Sequence, residues 1–267
     1  MGEKIRIERL TKTFEVRDPK NKRLTKQFTA IENMDFRIDE GEFLTIVGPS
    51  GCGKSTLLDL LGGLSTASTG RILIDGREIT GPGLDRGIVF QQYALFPWKT
   101  ARGNIEFGLE AKGIPKSEWK EQANYYLNLV GLNKFAEHYP HELSGGMKQR
   151  IAIARSLAFN PDVLLMDEPF AALDAQTRET LQTELLRIWE KTKKTIIFIT
   201  HGIDEAVYLG QRVVVLSPNP GRVKKIIEIP LKNKLADTDI KSNPQFIKAR
   251  HEVWSLLHEL EYQGAYI

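Results

Sequence analysis

Phe43-Leu44-Thr45-Ile46-Val47, followed by Gly48-Pro49-Ser50-Gly51-Cys52-Gly53-Lys54-Ser55-Thr56, decides the fold. The first five residues read as a short strand that can be buried on both faces. Gly48 to Ser55 fill every fixed position of a G-x-x-x-x-G-K-S/T loop, and Lys54–Leu61 reads as the helix that the loop opens. The glycines let the backbone curl until its N–H groups converge on phosphate oxygens. The helix N-terminus adds partial positive charge at the same place. In such a loop Lys54 reaches the β- and γ-phosphates, the Ser55 hydroxyl suits Mg²⁺, and Thr56 supports the α-phosphate. A glycine-rich helix start can also be purely structural, but here every motif position is filled. Cys52 occupies a variable position and reads as a passive thiol rather than a redox sensor.

A second segment answers the first. Val163-Leu164-Leu165-Met166 is a buried strand that delivers Asp167 and Glu168 at its C-terminal edge, before Pro169. Ligands of parallel sheets sit at that edge. Asp167 suits the Mg²⁺ shell, and Glu168 can orient or deprotonate an attacking water. Further strand candidates are Ile72–Ile74, Gly87–Phe90, Thr195–Ile199 and Val213–Leu216. Helix candidates are Gln176–Lys191 and Ile203–Leu209. Strands alternating with helices predict a mostly parallel sheet covered on both faces.

Three regions fall outside that alternation. Ile5–Phe14 and Phe28–Ile38 read as N-terminal strands, separated by the basic turn Arg17-Asp18-Pro19-Lys20-Asn21-Lys22-Arg23, a solvated loop. Asp75-Gly76 signals a hairpin. Pro97 to Phe159 reads as helical and strand-free, an insertion. Near the C-terminus, Ser242 or Asn243 caps a helix with Pro244 in its first turn. Ile247, Val253, Trp254, Leu257 and Leu260 are predicted to lie on one face, docked on the core.

The chain has 267 residues, 41% of them hydrophobic and 27% charged, with 37 Lys+Arg against 34 Asp+Glu. This is a globular composition, and the net charge of +3 gives no case for nucleic acid. One cysteine excludes an internal disulfide framework. No apolar run approaches the roughly 18 residues of a membrane span, and the N-terminus has no apolar signal region. The expected location is therefore cytoplasmic, with any membrane role reached through another protein.

Leu143-Ser144-Gly145-Gly146-Met147-Lys148-Gln149-Arg150 narrows the class. Ser144 is a good N-cap, and Gly145 and Gly146 expose amides at the mouth of a helix Met147–Ala158, a second anion site. Alone this is a capped helix after a Ser-Gly-Gly loop. Together with the other motifs it resembles the signature of ATP-binding cassette proteins. The resemblance covers about residues 3–230 and implies ATP and Mg²⁺ as ligands. It implies an α/β fold of the P-loop NTPase, RecA-like type. That fold has a mostly parallel sheet core, an N-terminal antiparallel β subdomain and an inserted α-helical subdomain. The implied layout is a single domain, 1–267: nucleotide-binding core 3–92 and 160–230, helical signature subdomain 93–159, and C-terminal docking helix 231–267.

The resemblance also assigns roles. Gln91 matches the glutamine that senses Mg²⁺ and the attacking water; Ser55, Gln91 and Asp167 form the metal set. Asp174, in Ala171-Ala172-Leu173-Asp174, matches the D-loop, and His201 the switch histidine at the γ-phosphate. Phe14 takes the place of the aromatic that stacks on adenine, with Phe28 as rival. Lys54, Gln91, Glu168 and His201 form the catalytic set. Ser144, Gly145 and Gly146 face the γ-phosphate held by a second copy, so a homodimer is implied. Met147 departs from the family pattern, which has Gln, and loses an amide donor toward the ribose.

One cassette without fused membrane helices, and Tyr139-Pro140-His141-Glu142 before the signature, resemble bacterial importers. In such systems Gln91–Trp98 helps receive a helix of the membrane permease, with Tyr93, Phe96 and Trp98 as candidate anchors or ordinary core residues. A solute-binding protein is implied indirectly, and the subunit would sit peripherally on the inner face of the cell membrane. Pro82–Arg86, Phe96–Trp98 and Pro218–Arg222 resemble the nitrate, sulfonate and taurine importer subgroup. The chain is too short for the large C-terminal regulatory domain of sugar and metal importers. The alternatives are a soluble non-transport cassette ATPase, a small-molecule kinase and a non-catalytic scaffold.

Overall fold

The computed structural model describes residues 2–17, 25–237 and 239–264. In chain order its elements are β1 (Glu3–Arg17), β2 (Thr25–Asp39), β3 (Phe43–Val47), α1 (Lys54–Gly62), β4 (Thr69–Ile74), β5 (Arg77–Glu78), β6 (Arg86–Val89), α2 (Ala101–Ala111) and α3 (Lys116–Leu129). There follow α4 (Gly145–Ala158), β7 (Val163–Asp167), α5 (Ala175–Thr192), β8 (Thr195–Ile199), α6 (Ile203–Leu209), β9 (Arg212–Ser217), β10 (Arg222–Glu228) and α7 (Pro244–Gly264). The chain divides into two units, Met1–Pro82 with Ile199–Ile267, and Gly83–Phe198.

The first unit holds an antiparallel sheet in the order β2-β1-β4-β5. β1 and β2 pair from Glu3↔Asp39 to Arg17↔Thr25, past the predicted ends at Phe14 and Phe28. Apolar alternation marks only where one face is buried, whereas ladder bonds continue through exposed residues. The basic turn between the strands, residues 18–24, lies outside the described residues. Asp75 and Gly76 both take positive φ, 50° and 74°, and close the hairpin between Ile74 and Arg77.

The same unit also carries strands in the order β10-β9-β3. β3 and β9 run parallel, from Leu44↔Arg212 to Val47↔Val215. Every β3 residue is buried, as are Val213 to Leu216, so this ladder is covered on both faces. β10 was not predicted. Within Val223-Lys224-Lys225-Ile226 a register shift against β9 breaks the alternation, and the lysines suit a mostly exposed strand at the end of the order.

The C-terminal helix needs a correction. Asn243 caps it, accepting from Gln245 N at 2.9 Å. The buried face is Phe246, Ala249, Val253 and Leu260, while Ile247 and Trp254 are about half exposed, at 51% and 47%. Phe246, absent from the predicted face, takes the inward place. Trp254 instead stacks outside between His251 and His258, with centroids 5.9 and 4.7 Å away.

The second unit carries β8-β7-β6, with β6 and β7 parallel from Arg86↔Val163 to Val89↔Met166. Residues 97–159 are helical without a strand, as the sequence predicts. Gly108 lets α2 lie against α4: a Cβ there would sit 2.6 Å from Arg155 O.

Asn104 on α2 is fully buried and staples the segment ahead of it. Its Nδ2 donates to the carbonyls of Phe96, Lys99 and Thr100 at 3.2, 3.1 and 3.0 Å, and its Oδ1 accepts from Phe96 N at 2.8 Å. Asn104→Ala would take from the half-buried Phe96 N and Lys99 O their partner, at about 1–3 kcal/mol each, while the carbonyls of Phe96 and Thr100 keep Lys99 N and Asn104 N. We expect urea unfolding to show a loss of about 3 kcal/mol at unchanged m-value. A loss below about 0.5 kcal/mol, the scale of a neutral surface change, would refute the staple.

Candidate nucleotide site

In the first unit, β3 ends where the loop begins, and packing dictates the glycines at 48 and 53, while Gly51 has open space around it and a left-handed φ of +76°. A Cβ on Gly48 would meet Leu216 O at 2.9 Å. One on Gly53, at φ +85°, would meet Ile31 Cγ2 at 2.4 Å and Ala30 O at 2.9 Å. Gly53 is the N-cap residue of α1 and brings no capping side chain. Lys54 folds back into the curl: Nζ donates to Gly48 O at 2.8 Å and Pro49 O at 3.1 Å, and lies 3.9 Å from Cys52 Sγ. Its ammonium therefore rests on carbonyls that an anionic phosphate can replace. Cys52 is fully buried, and burial pushes its thiol above the usual range against the opposing pull of the Lys54 ammonium.

His201 is exposed, one residue past a tether. Thr200 N donates to Ile46 O at 3.1 Å, two residues ahead of Gly48. The Thr200 hydroxyl accepts from Gly202 N at 2.9 Å and is bonded to the Glu205 carboxylate. Sequence reading missed Thr200, because a threonine at a strand end looks like one more strand residue. Phe14 and Phe28 turn out to be direct cross-strand partners, with Lys12 Nζ 4.9 Å from the Phe14 ring centroid. The two rivals for the adenine stack therefore stand side by side on one face of the ribbon.

In the second unit, β7 delivers Asp167 and Glu168, both half-buried. Glu168 has φ +43°, in the left-handed region that non-glycine residues avoid, and its carbonyl accepts from Ala171 N at 3.1 Å. Such strain concentrates at functional positions. Gln91 is exposed, two residues past β6. Beyond it Tyr93 and Ala94 are also left-handed, at φ 59° and 47°. Arg155 on α4 holds them, donating to Ala94 O at 2.6 Å and Tyr93 O at 3.2 Å, with its guanidinium carbon 5.6 Å from the Phe96 centroid. Burial lowers the pKa of that guanidinium from its usual value.

Ser144 caps α4, accepting from Met147 N at 3.3 Å, so the helix starts at Gly145, two residues before the predicted Met147. The glycines have a packing reason as well. A Cβ on Gly146 would sit 2.7 Å from Thr177 Cγ2, and one on Gly145 would sit 3.1 Å from both Leu173 Cδ2 and the Tyr93 hydroxyl. Asp174 caps α5, accepting from Thr177 N at 3.0 Å, and that backbone hydrogen bond holds its carboxyl below the usual range. The fold thus sets Ser144, Gly145, Gly146 and Asp174 at the starts of two adjoining helices, with the Tyr93 hydroxyl beside Gly145.

Residues 31–171 match the ABC transporter family model. An uncharacterised ABC transporter ATP-binding protein of Methanocaldococcus jannaschii is 51% identical over 97% of this chain and 93% of that protein. The nitrate import ATP-binding protein of a Synechocystis strain is 52% identical, over 87% of this chain and 89% of that protein. The taurine import ATP-binding protein of Rhizobium johnstonii is 48% identical, over 87% and 90%. A solved dimeric ATP-binding cassette in a post-hydrolysis state, bound to ADP and Pi, superposes with a TM-score of 0.72 at 34% identity. It covers 85% of this chain and 100% of that one. The chain belongs to the ABC transporter family, and with it to the ATP-binding, ATP-hydrolysing cassettes. Among the described residues no helix is long and apolar enough to cross a membrane.

Burial and the raised thiol pKa make a kinetic prediction. Thiolate is the reactive form, so Cys52 should resist maleimide in the native protein at pH 7–8 and react at once in denaturant. Stoichiometric labelling of folded protein within minutes would show the loop to be open at Cys52.

Proposed function

We propose that this chain is the ATPase subunit of an importer for a small anion of the nitrate, sulfonate or taurine kind. It would act as a homodimer bound to separate membrane permease subunits at the cytoplasmic face of the membrane, with a solute-binding protein upstream. The observation that carries this reading is identity of 52% and 48% to nitrate and taurine import ATP-binding proteins, over 87% of the chain in each case. Dimeric solved cassettes support the homodimer.

The residue roles are part of the proposal. Gly48, Pro49, Ser50, Gly51, Cys52, Gly53, Lys54, Ser55 and Thr56 cradle the phosphates, and Phe14 stacks on adenine with Phe28 beside it. Ser55, Gln91 and Asp167 offer hydroxyl, amide and carboxylate oxygens, the hard donors that Mg²⁺ takes, so the donor set fits the ion. Bound there, Mg²⁺ would neutralise phosphate charge. Glu168 takes a proton from the attacking water, Gln91 orients that water, and His201 holds the γ-phosphate. Ser144, Gly145, Gly146 and Asp174 serve the nucleotide of the facing copy. In this scheme 3–92 and 160–230 form the nucleotide core, 93–159 carries the signature, and 231–267 docks at the C-terminus. Trp98, 71% exposed and 5.5 Å from Phe96 between centroids, supports a permease contact within Gln91–Trp98.

Two substitutions separate chemistry from assembly. Glu168→Gln keeps size but cannot accept the proton, so ATP should bind and hold a dimer visible by light scattering, while turnover falls on the order of 10²–10⁴-fold. Wild-type turnover would remove Glu168 from the mechanism. Ser144→Arg should leave ATP affinity of dilute monomer unchanged and abolish ATP-driven dimerisation and hydrolysis. Full activity, linear in protein concentration, would exclude a shared site. Co-purification with a membrane subunit tests transport itself, and a chain that never associates with membranes would favour a soluble cassette ATPase.

A further inference from the structure

We propose that the turn joining β9 to β10, Ser217 to Arg222, is the back support of the phosphate loop, with Gly221 and Arg222 as positioning residues for ATP binding. The inference rests on the phosphate-loop reading of residues 48–56.

Gly221 is buried, and its φ is not in the left-handed region, so conformational freedom does not explain it. Space does. A Cβ at this position would stand 2.1 Å from Cys52 O, 3.0 Å from Cys52 C and 3.1 Å from Ala30 O. The carbonyl of Cys52 therefore rests on the bare backbone of Gly221. In a trans peptide the carbonyl and the following N–H point to opposite sides. Backing the Cys52 carbonyl against Gly221 thus turns the Gly53 N–H away from the turn. Among the described residues that N–H has no acceptor. It is one of the amides a phosphate oxygen would use.

The support is itself anchored. Gly221 N donates to Ala30 O at 2.9 Å, and Gly221 O accepts from Glu32 N at 2.9 Å, so the turn is stitched to β2 on both sides of Ile31. Ile31 in turn abuts Gly53. Arg222 adds a two-pronged ion pair to Glu32, through Nε at 2.9 Å and through Nη2. β2 and the turn therefore hold the peptide at Cys52–Gly53 from two directions. None of these residues reaches the nucleotide through a motif position, which is why they act through the loop rather than on the ligand.

The experiment measures equilibrium ATP binding, KM and kcat, and thermal melting for Gly221→Ala, Arg222→Ala and Arg222→Lys, with Lys54→Ala alongside. Gly221→Ala must displace Cys52 and should weaken ATP binding about tenfold or more. Arg222→Ala should raise Kd and KM about threefold, the scale of one exposed ion pair, and Arg222→Lys should recover most of it. In both, kcat at saturating ATP should stay within about twofold, because aligned substrate still meets the same catalytic groups. A merely structural role would lower the melting temperature and leave the Kd of folded protein unchanged. If Gly221→Ala fails to fold, the two Arg222 variants decide. Wild-type Kd in Arg222→Ala, and in Gly221→Ala where it folds, overturns the proposal. Lys54→Ala keeps the two failures apart: normal ATP binding by that variant would sink the phosphate-loop reading itself, whereas its loss beside unaffected Gly221 and Arg222 variants would sink only the back support.

Discussion

Close backbone approach around residues 48–53 is the constraint from which the rest of the first unit follows. Leu216 O crowds one glycine, and Ala30 O with Ile31 crowds another. Positions 48 and 53 admit no side chain because strands wall the loop on more than one side. β3 and β9, paired in parallel, supply one wall, and β2 supplies another. The curl then holds the Lys54 ammonium against the carbonyls of Gly48 and Pro49. The fold spends its hydrophobic burial on holding these walls together: Ile46, Val47 and Val213 to Leu216 are all fully buried. The chemistry itself needs little apolar surface.

Much of this was legible in the sequence, for a physical reason. The loop 48–56 and the strand Val163–Met166 are local signals: short apolar runs that end in a fixed set of polar groups. β3, β8 and α6 fall where their residue patterns place them. What the sequence could not show depends on long-range partners. Whether Phe14 or Phe28 serves the base is a question of register, and pairing sets the two rings side by side. β10 lacks alternation because its register against β9 shifts between Val223 and Lys225. The face of α7 was misjudged at Ile247 and Trp254 because helical spacing alone permits two stripes, and only Phe246 and Ala249 reveal which one the core takes. The left-handed backbone of Glu168, and the grip of Arg155 on Tyr93 and Ala94, have no sequence signal.

In the second unit two helix starts are packed so that their first turns meet at Gly146 and Thr177. Ser144 and Asp174 accept from the third residue of their own helices, and Gly146 meets Thr177 where a methyl group has no room. Arg155, further along α4, fixes the segment after Gln91, so one helix carries both the capped glycines and the grip on that segment. Movement of α4 along its axis would be felt at both ends.

The contact at Gly146 also changes how variation at that position should be interpreted. Selection for tight helix packing would preserve a glycine there even in a descendant that had lost all use for a nucleotide. A decayed, inactive relative could therefore keep its Gly-Gly pair for as long as the two helices stayed together. The exposed hydroxyl at Ser144 has no such shelter: a helix cap can be supplied by Asp, Asn or Thr. Drift at residue 144, with residue 146 unchanged, is the pattern by which a silent copy would betray itself.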